Sequence, residues 1–146
     1  MRARASTIIQ AQREVIFKHI ADFSSHPAWR RSVIESSVSG EPAVGTRVTQ
    51  RLTLAGHTLT AEFRITEFDP PHRISFVYEG PPRVRGGFTL EAADGSTRVH
   101  VFTSTVLGGA AELVEDRIRE TVEAEARHEL ERLKSRVEGD AHQAGS

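Results

Sequence analysis

The apolar residues near the end of the chain recur at helical spacing over a long stretch. From about Gly109 to Val137 they predict a helix of roughly 28 residues, about 42 Å long at 1.5 Å per residue. They form one stripe along it: Val114, Ile118, Val122, Ala126, Leu130, Leu133 and Val137. Because a helix cannot bury such a face alone, the rest of the chain must supply a second apolar surface.

Six runs of alternating apolar and polar residues precede this helix. They begin at Ser32 and are separated by turn signals rich in Gly, Pro and Asp, a pattern typical of antiparallel strands joined by short turns. Before them, ARASTIIQA predicts a strand, QREVIFKHIADF a short helix, and SSHPAW a second helical turn begun by a serine cap and Pro27. We therefore expect an α+β fold in the order strand, two short helices, six strands and one long helix.

The alternation also assigns the strand residues to two faces of the sheet. Apolar side chains such as Leu59, Phe63 and Phe76 occupy the face that the long helix covers. The opposite face carries arginines and His100, interleaved with threonines and with Glu62, a mixture that favours a solvated surface over a nucleic-acid patch.

The bulk composition excludes several classes of partner and chemistry. Nineteen basic and twenty acidic residues leave a formal charge of −1, so we expect no nucleic acid as partner. The absence of cysteine excludes disulfides and thiolate sites. No stretch approaches the ~20 apolar residues of a membrane span, and we expect a cytoplasmic protein with no stable membrane insertion. The 146 residues predict one domain over residues 1–138 and a disordered tail over 139–146.

Five short motifs along this order of elements resemble those of a known family. They are Pro27-Ala28-Trp29, Val44-Gly45-Thr46, EFDPPHRI from Glu67 to Ile74, GSTRV from Gly95 to Val99, and Leu133-Lys134. With them the chain looks like a polyketide cyclase/dehydrase and lipid-transport protein of the START/Bet v 1-like (SRPBCC) superfamily, over nearly its whole length. The resemblance implies a helix-grip fold, in which a curved seven-stranded antiparallel sheet wraps around the C-terminal helix and leaves a ligand cavity between them. It specifies the fold better than the chemistry, since such proteins include ring cyclases, lipid or quinone carriers and hormone receptors.

An apolar concavity with a few polar groups is what a small-molecule pocket requires. The predicted ligand-binding residues are Trp29, Gln50, Leu52, Leu59, Ala61, Phe63, Ile65, Phe76, Tyr78, Phe88, Val101, Thr103, Ile118 and Val122. Two interpretations of Trp29 stay open, because it could line the cavity entrance or anchor the two short helices.

Candidate catalytic residues are Glu125, Glu129 and Tyr78. Glu125 and Glu129 lie four residues apart beside the apolar stripe. If both pointed inward, repulsion and desolvation would raise at least one pKa; if they flanked the stripe, they would reach water. No HxH or HExxH spacing occurs, so the sequence predicts no metal and no cofactor.

The segment RITEFDPPHRISFVYEG crowds acidic and basic residues together, from Arg64 to Gly80. Asp69-Pro70-Pro71 predicts a hairpin corner, because neither proline can donate a ladder hydrogen bond. We interpret the cluster as a turn, with Glu67 or His72 at the rim of the cavity.

The leading functional hypothesis is binding, transport or sequestration of a hydrophobic small molecule, such as a polyketide-like, lipid or isoprenoid compound. The first alternative is an aromatase/cyclase or dehydratase that acts on a polyketide-like substrate by acid-base catalysis without metal or cofactor. The second is a homodimeric interaction module. The residues leave open whether the protein is an enzyme and whether it is a monomer or a homodimer.

Overall fold

A computed structural model describes the backbone of residues 1–54 and 56–144 and the side chains of residues 1–53 and 56–140. The predicted order of elements is confirmed. The strands are β1 (Arg2–Ile9), β2 (Val33–Val38), β3 (Arg47–Leu54), β4 (His57–Asp69), β5 (Arg73–Tyr78), β6 (Val84–Ala93) and β7 (Ser96–Thr105). The helices are α1 (Arg13–Ala21), α2 (His26–Trp29) and α3 (Glu115–Ala144), with short 3-10 helices at Phe23–Ser25 and Gly109–Val114.

The seven strands form one antiparallel sheet in the order β1-β7-β6-β5-β4-β3-β2. Helix α3 packs along the edge strand β1. Two of its carboxylates accept hydrogen bonds from the exposed backbone edge: Glu123 from the amide of Arg4 at 2.9 Å and Glu138 from that of Gln10 at 3.0 Å. These contacts occupy donors that an open sheet edge would leave free.

The long helix differs from the prediction at both ends. The segment from Gly109 forms a 3-10 helix before α3 begins at Glu115, and α3 runs to Ala144 rather than ending near Val137. The residues from 139 to 144, predicted to belong to a disordered tail, are therefore helical, whereas 145 and 146 lie outside the described residues.

The predicted serine cap of α2 is wrong in its detail. Ser25 occupies the N-cap position, but its hydroxyl donates to the carbonyl of Asp22 at 2.7 Å and caps no helix amide. Pro27 stands in the first turn as predicted, where its missing N–H costs no helical hydrogen bond.

A bulge in β4 corrects the predicted faces near the hairpin corner. The register with β5 shifts between Ile65 and Glu67, so the side-chain alternation slips by one residue. Glu67 therefore lies opposite Ser75 and accepts a hydrogen bond from its hydroxyl at 2.9 Å, on the face away from α3. Its neighbour Phe68 packs inward, with its ring 5.5 Å from that of Phe17.

The main core lies between the sheet, the short helices and the C-terminal half of α3. Its fully buried members include Ile9, Ile16, Ile20, Trp29, Ile65, Ile74, Val99, Leu130, Leu133 and Val137. The other sheet face carries ion pairs, such as Arg47–Glu62 and Arg64–Glu79, which fits the predicted solvated surface. Ser75 and Val77 are exceptions, since both are buried there.

Candidate functional site

The two halves of α3 differ in how they meet the sheet. Leu130, Leu133 and Val137 in the C-terminal half are almost completely buried, whereas Val122 and Ala126 in the N-terminal half are only partly covered. A pocket of about 630 Å³ lies between this N-terminal half and the inner face of the sheet. Its apolar wall is formed mainly by Val48, Phe63, Phe76, Phe88, Val101 and Val122.

A hydrogen-bonded polar group, which we call the Arg30 network, forms one side of this pocket. Its members are His26, Arg30, Ser32, Gln50 and Glu129. They come from α2, the segment after it, β3 and α3, so the network joins the short helices and the sheet to the long C-terminal helix.

His26 anchors the network in a single protonation and tautomeric state. It is 1% exposed, and its Nε2 lies 2.8 Å from the carbonyl oxygen of Ile20, which can only accept. Nε2 therefore carries the proton and Nδ1 is an acceptor. Burial and the nearby charge of Arg30 lower the pKa of His26 to about 3, so the ring is neutral at physiological pH.

The state of His26 fixes the amide of Gln50. The side-chain nitrogen of Gln50 donates to Nδ1 of His26 at 3.2 Å and to the hydroxyl of Ser36 at 3.2 Å. Its oxygen must then face Arg30, and it accepts from Nη1 of that residue at 3.1 Å. Gln50 is itself 2% exposed, so water cannot readily replace these partners.

Glu129 supplies the negative charge of the network. Its Oε2 lies 3.3 Å from Nε of Arg30, and its Oε1 accepts a hydrogen bond from Ser32 at 3.4 Å. Burial raises the pKa of Glu129 despite the charge of Arg30, and the nearby Glu125 raises it further.

Glu125 differs from Glu129 although both line the pocket. Both of its carboxylate oxygens accept from Arg31, with Nη2 at 2.7 Å and Nε at 3.1 Å. This bidentate pair lowers the pKa of Glu125 and keeps it ionised. The expected rise in pKa therefore holds for Glu129 and not for Glu125.

The structure brings together many of the predicted site residues at this one pocket. Those that line it are Gln50, Phe63, Phe76, Phe88, Val101, Thr103, Val122, Glu125 and Glu129.

The remaining predicted residues lie outside the lining of this pocket. Trp29 and Ile65 are fully buried in the main core, and the Trp29 ring packs between those of His26 and Phe88. Trp29 is thus an anchor of the helix pair and not part of the pocket wall. Ile118 is half-buried on α3 but outside the pocket lining.

The far end of the β3–β4 hairpin accounts for the other exceptions. Leu52 and Ala61 pack with Val33 in a separate small cluster, against which Tyr78 rests. Leu59 is 37% exposed. Helix α3 packs along β1, at the opposite edge of the sheet from β2 and β3. The apolar side chains of this small cluster therefore pack against each other and do not line the pocket.

Sequence reasoning missed the two arginines that balance the glutamates. Arg30 and Arg31 directly follow the only tryptophan, at the junction between α2 and β2. One sequence signal could have indicated these pairs. Two adjacent arginines and two glutamates one helical turn apart all lie near the predicted apolar cavity, and opposite charges in such a place tend to pair.

Within the described residues, no helix has the length and hydropathy needed to cross a membrane.

Solved structures of similar fold cover nearly the whole chain. TTHA0849 from Thermus thermophilus matches with a TM-score of 0.82 and 19% identity, over 96% of this chain and 99% of that one. The Zhui aromatase/cyclase from Streptomyces sp. R1128 matches with a TM-score of 0.82 and 16% identity, over 100% and 98%. A START superfamily protein from Mycobacterium smegmatis matches with a TM-score of 0.74 and 15% identity, over 94% and 97%. These likenesses establish the helix-grip fold.

A comparison with curated protein sequences found no match. The family model described as polyketide cyclase / dehydrase and lipid transport matches residues 1–138. The chain therefore belongs to the polyketide cyclase/dehydrase and lipid-transport family.

Proposed function

We propose that the protein binds a hydrophobic small molecule in the pocket between the sheet and the N-terminal half of α3. The observation that supports this most directly is the pocket itself, about 630 Å³ with an apolar wall and one polar side. Pockets of roughly 300–1,000 Å³ with this composition are typical of small-ligand sites. Affinity would come from burial of apolar area, at roughly 25 cal/mol per Å².

The division of α3 supports the same function. If the helix served only to complete a core, its whole stripe would be packed as tightly as Leu130 and Leu133. Instead, Val122 and Ala126 face free space beside the aromatic side chains of the sheet. The family to which the chain belongs includes lipid transport in its description, in accord with this proposal.

The experiment is native mass spectrometry of freshly purified protein, together with a pair of alanine-to-phenylalanine variants. Ala126 lines the pocket, whereas Ala124 is exposed on the same helix two residues away. We expect a co-purifying or added apolar compound in the wild type, its loss in Ala126→Phe, and its retention in Ala124→Phe. Equal binding by both variants, or no binding of any apolar compound by the wild type, would contradict the proposal.

A second candidate function, cyclisation or dehydration of a polyketide-like substrate, rests on Glu129. This carboxyl lines the pocket, and burial raises its pKa above the ordinary value, which is the direction of shift that suits a carboxyl group in acid-base catalysis. Glu125 is less suited because Arg31 holds it ionised, and Tyr78 lies outside the pocket lining. Loss of turnover in Glu129→Gln, with retained ligand binding, would favour the enzyme; binding without turnover in the wild type favours a carrier.

The homodimeric alternative stays a prediction, as does the absence of a cofactor. Size-exclusion chromatography with light scattering measures the oligomeric state directly.

A further inference from the structure

Arg30 lines the pocket, and one nitrogen of its guanidinium has no hydrogen-bond partner among the described side chains. The Nε of Arg30 donates to Glu129, and its Nη1 donates to Gln50 at 3.1 Å and approaches Nδ1 of His26 at 3.4 Å. Among the hydrogen bonds of the residues whose side chains are described, 1–53 and 56–140, none involves Nη2 of Arg30. A guanidinium carries five N–H donors in a rigid plane, so the position of Nη2 follows from the bonds that hold the other two nitrogens.

The orientation of the Arg30 guanidinium depends on the buried side chain of His26. The only ring N–H of His26, at Nε2, donates to the carbonyl oxygen of Ile20, so Nδ1 is an acceptor. This fixes the amide of Gln50 with its oxygen toward Arg30. The guanidinium of Arg30 is then held by two hydrogen bonds, from Nη1 to Gln50 and from Nε to Glu129. A donor positioned in advance in this way loses little conformational entropy when a ligand binds.

Arg31, the other arginine at the pocket, provides a contrast. Its Nε and Nη2 are both occupied by the carboxylate of Glu125, and more than half of its side chain is exposed. The side chain of Arg30 is only 22% exposed, so an acceptor that meets it is shielded from water.

The charge of the network decides the type of acceptor. Glu129 lies 3.3 Å from Arg30 and offsets its positive charge. An anionic ligand would place a second negative charge beside Glu129 in a partly desolvated site, which is unfavourable. An uncharged oxygen accepts the free N–H without that repulsion.

We infer that Nη2 of Arg30, positioned by His26 through Gln50, binds a carbonyl-type oxygen of an uncharged and otherwise apolar ligand. Arg30 is the contact residue, and His26 and Gln50 are positioning residues. The inference rests on the proposed function, because it concerns the polar end of a ligand whose apolar body fills the pocket.

The test compares three probes of nearly equal size by isothermal titration calorimetry: 2-acetylnaphthalene, 2-ethylnaphthalene and 2-naphthoate. We expect the ketone to bind about tenfold more tightly than the hydrocarbon, as for one hydrogen bond to a charged donor, and the carboxylate to bind more weakly than the ketone. Equal affinity for ketone and hydrocarbon, or tightest binding of the carboxylate, would overturn the inference while leaving the proposed function intact. If neither the ketone nor the hydrocarbon binds, both the proposed function and the inference fail.

Variants identify the residues responsible. The double variant Arg30→Met with Glu129→Gln removes both charges together, which avoids a lone buried charge, and we expect it to bind ketone and hydrocarbon equally. Arg30→Lys keeps the charge but loses the planar fork, and we expect it to lose most of the preference. Arg47→Met, at an exposed arginine outside the pocket lining, is the matched control and should retain the tenfold ratio. A ratio lost in Arg47→Met and kept in Arg30→Lys would contradict the assignment.

His26→Phe tests the positioning role. A ring at this site keeps the packing against Phe23 and Trp29 but removes the acceptor for Gln50. We expect the affinity for the hydrocarbon to stay within about twofold of the wild-type value. The ratio of ketone affinity to hydrocarbon affinity should fall from about ten toward one. If His26 only stabilised the fold, the variant would lose affinity for the ketone and the hydrocarbon together. An unchanged ratio of the two affinities would exclude positioning by His26.

Discussion

Nε of Arg30 lies 3.3 Å from Oε2 of Glu129, with 22% and 14% of the two side chains exposed. The residues are 99 positions apart in the sequence, so this pair ties the junction between α2 and β2 to the middle of α3. Since one partner left alone would be a poorly solvated charge, removing a single member should cost more than removing both.

Arg30→Met alone should therefore lower the free energy of unfolding by about 2 kcal/mol, and the double variant with Glu129→Gln by much less. Urea denaturation of the wild type, both single variants and the double variant measures the coupling. The control is the exposed pair Arg47–Glu62, for which we expect a coupling below about 1 kcal/mol. A coupling for Arg30 and Glu129 no larger than that of the control would contradict the buried ion pair.

His26 should make stability fall in mild acid. Its pKa is lowered to about 3 in the folded chain from an ordinary value of 6.5, so the unfolded chain binds more protons between these limits. The contribution of His26 is complete above pH 6.5 and is lost as the pH falls toward 3, with a slope of up to about 1.4 kcal/mol per pH unit.

Urea titrations at several pH values between about 4 and 7, on the wild type and on His26→Phe, isolate this effect. Glu129, whose pKa is raised, acts in the opposite sense, and Glu125, whose pKa is lowered, acts in the same sense. Both remain in the variant, so the difference between the two proteins reports His26. Parallel stability curves would show that His26 is not buried in its neutral form.

The two halves of α3 should respond differently to truncation. Leu133 is fully buried, and Leu133→Ala should cost about 3 kcal/mol of unfolding free energy. Val122 borders the pocket, and Val122→Ala should cost about 1 kcal/mol or less, because little packing is lost and alanine favours the helix. Thermal or urea unfolding compares them, and similar losses would mean that the N-terminal half is as tightly packed as the C-terminal half.

Gly87 should not tolerate a side chain. A Cβ there would lie 2.6 Å from the carbonyl oxygen of Ile74 and 3.0 Å from the ring of Phe102, which leaves no room without moving the backbone of β5. We expect Gly87→Ala to cost about 2 kcal/mol.

Gly139 is the matched control, because it is exposed within α3 and a Cβ there would meet nothing within 4 Å. Gly139→Ala should stabilise the protein by roughly 0.5–1 kcal/mol through helix propensity. Chemical denaturation distinguishes the two, and a neutral Gly87→Ala would show that β5 and β6 can separate locally.

Local pattern determined most of the architecture. The period-two runs and the long helical stripe predicted the strands, their faces and α3 without reference to distant residues. The prediction failed where one residue broke the period: the bulge between Ile65 and Glu67 moved Glu67 to the outer face and Phe68 to the inner face. It also assigned Leu59 to the cavity, since alternation gives the face of a residue but not how far the covering helix extends.

The sequence by itself determined the order of elements, the apolar wall of the pocket and the presence of Glu129 beside the helical stripe. Only the tertiary structure decided that Glu129 meets Arg30, that Glu125 meets Arg31, and that His26 holds Gln50. The physical reason is the distance along the sequence over which each feature is determined. Periodicity follows from backbone geometry over a few residues, whereas these pairs depend on how α3 lies across the sheet and on how α2 enters β2.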